Sequence, residues 1–393
     1  MQRWLFLLFM ALSLPSFSQQ RCASRQPANG LEPATPANPS PAIESRSLIT
    51  IPLVVHIVWY GPEENLTDEQ IQSQLEVLNE DFRALNSEIA SVPGPFAGDV
   101  ADMEIEFCLV AVTRTQASFP NIADLYSGGR RRVCHNGLGG HDAIDPGHYL
   151  NAWVSARNDG ACGEGTFPDD PLVPADEQGI FIRPDCFGTV GTAAAPFNLG
   201  RTTTHEIGHY LNLKHLWGEG LEDPLCQSDD MVEDTEEQAY SYSEFTSGSC
   251  PVHPSFSCGT ADMFMNFMNL PADRCMSMFT NGQKERARDA IQAFRPGLLE
   301  SSCLPVALET APEEEEEPSL LYNPVSSEIA LLLPQKDKYE IAIFDAAGRL
   351  VFRNPNASGT PHSITSSLFI NGIYYIKIRN GRKIHVKKLI IAR

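Results

Sequence analysis

Residues 49–60 (ITIPLVVHIVWY) are an apolar, β-branched run, the pattern of a strand covered on both faces. His56 falls inside it and is expected to be a core histidine. Thr67-Asp68-Glu69-Gln70 then reads as a capping box, with Ile71, Leu75, Leu78 and Phe82 following at helical spacing. A long helix crossing the sheet is predicted there. Residues 103–110 alternate apolar and polar as a strand does, and residues 149–154 read as the next strand. Residues 179–183 read as the edge strand of a cleft, and residues 283–294 as a closing helix. Between this helix and about residue 216 no period persists, so that half is loop-rich. Beyond residue 318, residues 339–351 and 370–378 alternate with period two around tight turns, predicting a small all-β sandwich.

Composition places this pattern outside the cell. Residues 4–12 are a short apolar run after Arg3, followed by small residues at Ser16 and Ser18, which predicts a signal peptide over residues 1–18. The run is too short to span a membrane, and no later stretch is longer or more apolar. Ten cysteines in an exported chain are most simply disulfides. The net charge of −21 argues against nucleic acid or an anionic membrane as partner. Residues 319–393 are basic by contrast. They follow Glu313 to Glu317, a like-charged run flanked by Pro312 and Pro318 that reads as a linker.

The chemistry concentrates at residues 205–215 (HEIGHYLNLKH). On a helix, His205 and His209 project from one face at a spacing that suits a single zinc ion. Glu206 sits beside the open position, where it can take a proton from water. His215 reaches the same ion only if the chain turns sharply after Leu211. Asn212, a residue that tolerates the left-handed conformation, stands where that turn is needed. Near the N-terminus, Cys22 has two readings, a thiolate filling the open zinc position or a disulfide with Cys303. Residues 229–235 (DDMVEDT) put hard oxygen ligands on one short loop, which suits calcium or else a solvated acidic loop.

With Gly200-Arg201-Thr202-Thr203-Thr204 before it and Leu216-Trp217-Gly218 after it, this segment resembles the pappalysin (M43) metzincin metallopeptidases. The resemblance runs over about residues 49–295. It implies an α/β catalytic domain, a twisted mixed sheet carrying the zinc helix above a disulfide-linked lower half, in which the cleft edge pairs with an extended substrate. It implies crossed disulfides Cys226–Cys258 and Cys250–Cys275; Cys108–Cys134 and Cys162–Cys186 are further expectations. It assigns calcium to Asp230, Thr235 and the Glu233 carbonyl, the Met-turn to Met268, and latency to a leader cysteine, here Cys22 followed by Ala23. Asn269 and Leu270 replace the Asp and Tyr usual after the Met-turn, removing an oxyanion donor. Asp273 is the candidate floor of a pocket for Arg or Lys after the cut, with Arg274 beside it to offset its charge. Residues 319–393 resemble the sorting domain of the type IX secretion system, which makes secretion machinery a partner.

The chain is therefore expected to divide into a signal peptide (1–18), a leader (19–48), a catalytic domain (49–303), an acidic linker (304–318) and a β-sandwich sorting domain (319–393). The expected function is secreted zinc endopeptidase, exported through the periplasm, acting on polypeptides, and binding calcium as well as zinc. Ser45-Arg46 is an expected maturation cut. Two rivals stand beside this, a zinc-containing adhesion protein without turnover and a zinc hydrolase acting on non-peptide substrates.

Overall fold

The computed structural model describes residues 20–24, 48–168, 170–218, 223–243, 245, 249–300, 303, 319–320, 325, 328–333, 338–358, 362–380 and 383–392. The expected signal peptide, the Ser45-Arg46 bond and the acidic run lie outside them. The chain forms two compact units, Met1–Val306 and Ala307–Arg393. No helix among the described residues is long and apolar enough to cross a membrane.

The first unit is built on a six-stranded mixed sheet. Its strands are β1 (Gln20–Cys22), β2 (Ile49–Trp59), β3 (Ile105–Gln116), β6 (Leu150–Val154), β7 (Ala161–Gly165) and β8 (Ile180–Ile182), in the order β1-β7-β8-β6-β2-β3. A short hairpin, β4 (Tyr126–Ser127) with β5 (Arg130–Arg131), precedes β6. The continuous apolar run of β2 follows from its place between two parallel neighbours. His56 on it is fully buried, stacks on Trp153 at 5.2 Å and is bonded to Thr113 and Asn151.

One sequence expectation is corrected here. Residues 180–182 lie inside the sheet, between β6 and β7, so β7 and not β8 is the edge that the leader meets. In the leader, β1 pairs with β7, Gln20 opposite Ala161 and Cys22 opposite Gly163. An edge strand offers a row of unpaired backbone groups, and three leader residues take them.

Helix α1 (Asp68–Phe82) starts at Thr67, whose hydroxyl accepts from the Gln70 amide. The reciprocal half of the box is missing. The Gln70 side chain donates to the carbonyls of Pro184 and Phe187. Gln74 likewise joins Gly188, Gly200 and Thr203. These buried amides tie the backing helix to the segment leading into α2 (Arg201–Tyr210), every residue of which is buried. Asp81 completes the link through Thr204 and Arg201. Helix α3 (Asn281–Phe294) begins with a complete Thr280–Gln283 capping box.

Four disulfides are present among the described residues: Cys108–Cys303, Cys162–Cys186, Cys226–Cys258 and Cys250–Cys275. The expected Cys108–Cys134 bridge is replaced, because Cys134 packs with Val58, Trp153 and Phe181 whereas Cys108 lies against the separate cluster of Val54 and Val110. Cys22 and Cys134 are free, buried thiols, so Cys22 has no disulfide to Cys303.

The second unit is all-β, with a three-stranded antiparallel sheet of β9 (Ser319–Leu320), β10 (Glu328–Leu332) and β13 (His362–Thr365). Its four-stranded partner holds β11 (Tyr339–Asp345), β12 (Leu350–Ala357), β14 (Gly372–Asn380) and β15 (Lys383–Ile391). Their inward positions share one core, including Ile329, Ile341, Ile376 and Leu389.

Strand β7 and helix α2 approach so closely that side chains are excluded between them. A Cβ on Gly165 would lie 2.3 Å from the Glu206 carbonyl oxygen, a backbone atom that cannot yield without moving the helix. Gly165→Ala should therefore destabilise the unit by about 2 kcal/mol or more, a fall in melting temperature of about 5 °C. A thermal melt unchanged from the parent would contradict this packing.

Candidate active site

Helix α2 ends in a reversal that the sequence places at Asn212. Leu213 donates to the Gly208 carbonyl and Asn212 to the His209 carbonyl, both at 2.9 Å, while Asn212 adopts φ +69°. This is the 6→1 and 5→2 pair of a helix stop with a left-handed residue after the cap. The chain turns back and His215 comes over the histidines of the helix. The three Nε2 atoms lie 3.1, 3.1 and 3.2 Å apart. A tetrahedral ion with metal–nitrogen distances of about 2.0–2.1 Å needs nitrogens about 3.4 Å apart.

The surroundings fix which nitrogen faces the centre. His205 Nδ1 meets the Phe267 carbonyl at 2.7 Å and His209 Nδ1 the Leu213 carbonyl at 2.8 Å. Each is therefore the protonated nitrogen, leaving Nε2 with its lone pair inward. His215 stacks on Trp217 with ring centroids 4.6 Å apart. Burial lowers all three, His209 to about 4, so the imidazoles are neutral. Met268 is fully buried below them, and a Cβ on Gly208 would lie 2.3 Å from its sulfur.

Glu206 turns to the open side of this cluster. Burial pushes its carboxyl up to about 8, and its Oε1 has no partner. Its Oε2 accepts from the Ser24 hydroxyl at 2.8 Å and lies 3.6 Å from Cys22 Sγ. The Cys22 sulfur is 3.4 Å from His209 Nε2, and the four residues Cys22, His205, His209 and His215 form a buried group able to hold a metal. Burial, then the nearby Glu206, raises the Cys22 thiol.

One residue before Cys22, Arg21 runs into a second buried site. Its guanidinium bonds Asp273 Oδ1 and the Pro271 carbonyl, each at 2.6 Å, and lies over the Phe197 ring. Asp273 and Arg21 side chains are both wholly inaccessible. Arg274, expected to offset Asp273, is exposed, so Arg21 is the cation that meets it. Ser24, Arg21 and the glycines at 163, 165 and 208 escaped the sequence reading. Nothing in composition or period marks them, though Arg21 and Ser24 flank the one leader cysteine.

The comparisons agree with this geometry. Residues 139–292 match the family model for peptidase M43, described as pregnancy-associated plasma protein-A, and residues 321–392 match the secretion system C-terminal sorting domain. An extracellular metalloprotease of Arthroderma otae is 31% identical over 306 residues, 75% of this chain and 98% of that one. The chain belongs to the M43 pappalysin metallopeptidases. Mature mirolysin of Tannerella forsythia, solved with a cleaved peptide, is 35% identical with a TM-score of 0.59, covering 65% of this chain and 96% of that one. A promirolysin mutant from the same organism is also 35% identical, with a TM-score of 0.58 over 64% and 84% of the two chains. This pappalysin is thus a secreted metallopeptidase with a sorting domain for cell-surface or extracellular delivery.

In this family member the segment after Met268 departs from the familiar pattern. Asn269 and Leu270 are both buried, and Asn269 Oδ1 accepts from the Leu270 amide. In the acidic loop, Asp230 Oδ1 accepts from Thr235 at 2.7 Å, and Oδ2 is buried without a partner. The metal-holding group found among the described residues is the histidine–cysteine one, and it does not include this loop.

Asn212 tests the geometry directly. A β-branched side chain in the left-handed region costs about 1–2 kcal/mol more than Gly. Asn212→Val should therefore raise the dissociation constant for the metal by about fivefold or more, whereas Asn212→Gly should leave it within about twofold. Equal affinities for the two variants would remove the turn from the account.

Proposed function

We propose that His205, His209 and His215 hold zinc through Nε2 and that Glu206 is the general base and acid of peptide-bond hydrolysis. The observation that carries this reading is three inward lone pairs within 3.2 Å of one another beside a buried carboxylate. When bound, zinc supplies Lewis acidity, polarising a carbonyl and making water more acidic. Once β1 has left, an extended substrate adds to the same edge of β7 through its main chain. Glu206 takes a proton from the attacking water and delivers it to the departing amide nitrogen. Glu206→Ala should retain one zinc per chain, measured by metal analysis, yet lower kcat by about a hundredfold or more. Intact zinc with no turnover even in the parent would instead favour an adhesion protein with a structural zinc, and turnover unchanged by the substitution would remove Glu206 from the mechanism.

The same reading makes residues 20–24 a latency element. Cys22 takes the open metal position, Ser24 caps the base, and Arg21 fills the Asp273 site as a substrate side chain would. A buried carboxylate already matched to a guanidinium supports a preference for Arg or Lys just after the cut. Strand β1 runs parallel to β7. Maturation then follows cleavage at Ser45-Arg46, which fits the same preference. Arg21→Ala and Cys22→Ala should each lose the leader faster on incubation, and Glu206→Ala should keep it, read as mass on a gel. A peptide library cut without basic enrichment after the scissile bond would remove the specificity.

Calcium is proposed at Asp230, the Glu233 carbonyl and Thr235. Burial pushes Asp230 up to about 7, and its unpartnered oxygen is the group a hard cation would satisfy.

A further inference from the structure

A cavity of about 510 Å³ is lined by Gly165 and Phe167, among others. The Phe167 ring is 5.0 Å from the His209 ring, which puts this wall of the cavity beside the histidine cluster. Four carboxylates, Asp124, Asp159, Glu164 and Asp170, line it against two guanidiniums, Arg131 and Arg157, a net of two negative charges. Glu164 binds both arginines, and Asp159 is paired with Arg157. Asp124 stands 3.6 Å from Arg157, and Asp170 has no ion-pair partner among the described residues. Arg157 is 97% buried at its side chain, yet its Nη1 has no acceptor.

The leader does not fill this space. Ala23, directly after Cys22, lines the cavity and contributes a single methyl group. A peptide lying along β7 with a longer side chain at that place would enter it. Arg21 and Ala23 flank Cys22, whose sulfur meets the histidine cluster, so the Asp273 site and this cavity are reached from the two neighbours of that thiol.

We propose that this cavity is a second specificity subsite, taking a lysine or arginine side chain one or two residues before the cut. It rests on the reading that the Asp273 site receives the residue after the cut. The net negative lining, with Asp170 outside any ion pair among the described residues and Asp124 sharing Arg157 with two other carboxylates, attracts the cation, and acidic side chains are excluded by the same field.

The test uses the mature enzyme with zinc and fluorogenic peptides sharing one residue after the cut and differing before it. Lys or Arg at that place should exceed Ala in kcat/KM by about fivefold or more, with Glu below Ala. Asp170→Lys should collapse the Lys-to-Ala ratio to near one and raise the Glu peptide relative to Ala. Asp124→Asn should reduce the same ratio, and serves where the first variant does not fold. Equal rates for Lys, Ala and Glu peptides, or a Lys preference that neither variant moves, would overturn the subsite. Failure to cut any peptide, with zinc retained, would instead overturn the peptidase reading beneath it.

Discussion

Three imidazole lone pairs aimed at one point are a state that a protein interior does not hold without cause. The Nε2 atoms are fully buried and 3.1–3.2 Å apart, so each lone pair meets two others in place of a donor. Donating Nδ1–H groups at His205 and His209 prevent the rings from relieving this by exchanging tautomers. Burial opposes relief by protonation. A divalent cation removes the repulsion and satisfies all three acceptors at once. The rest of the unit serves to maintain that arrangement, which is costly in its absence.

Close approach of backbones is how the arrangement is held. Gly163 and Gly165 let β7 lie against Glu206 and His209, and Gly208 lets Met268 sit under the helix. Three glycines therefore set distances that larger side chains would open by an ångström or more. Above them the buried amides of Gln70 and Gln74 fix the helix start, where an apolar contact would leave the loop carbonyls unsatisfied. The same logic explains the half-made capping box on α1. Gln70 is worth more to two buried carbonyls than to its own N-cap.

Local signals were the legible part. The strand β2, the helix α1, the histidine spacing and the turn at Asn212 each depend on a period or on a residue's own backbone preference, and both are written in the chain. Sheet order was not legible, because β7 (ACGEG) has neither alternation nor β-branching. It is a strand because it pairs with β8 while lying against α2, a tertiary reason. Residues 179–183, with the better pattern, were mistaken for the edge. The partner of Cys108 was likewise a matter of where α3 delivers residue 303, which no spacing rule encodes. Arg21 was visible as a residue and invisible as a contact, since its acceptor is 252 positions away.

The proposed leader contact raises a question of magnitude. Burying a guanidinium with a carboxylate costs several kcal/mol per ion before any gain is counted. Here the cost is offset locally: Arg21 also bonds Pro271 and Thr202, and Asp273 accepts from the amides of Leu199 and Arg201. The pair is therefore close to neutral as a contributor to fold, and its strength lies in holding a tethered segment. While the chain is intact, the leader sees its site at an effective concentration of the order of millimolar. Cutting between leader and catalytic unit turns that into ordinary dilution, and the same weak balance then favours release. A disulfide from Cys22 would have defeated this, since a covalent link survives the cut. Under the proposed latency, a free thiol beside the three histidines suits a lock meant to open, and Cys22, like the buried Cys134, stands outside the four bridges.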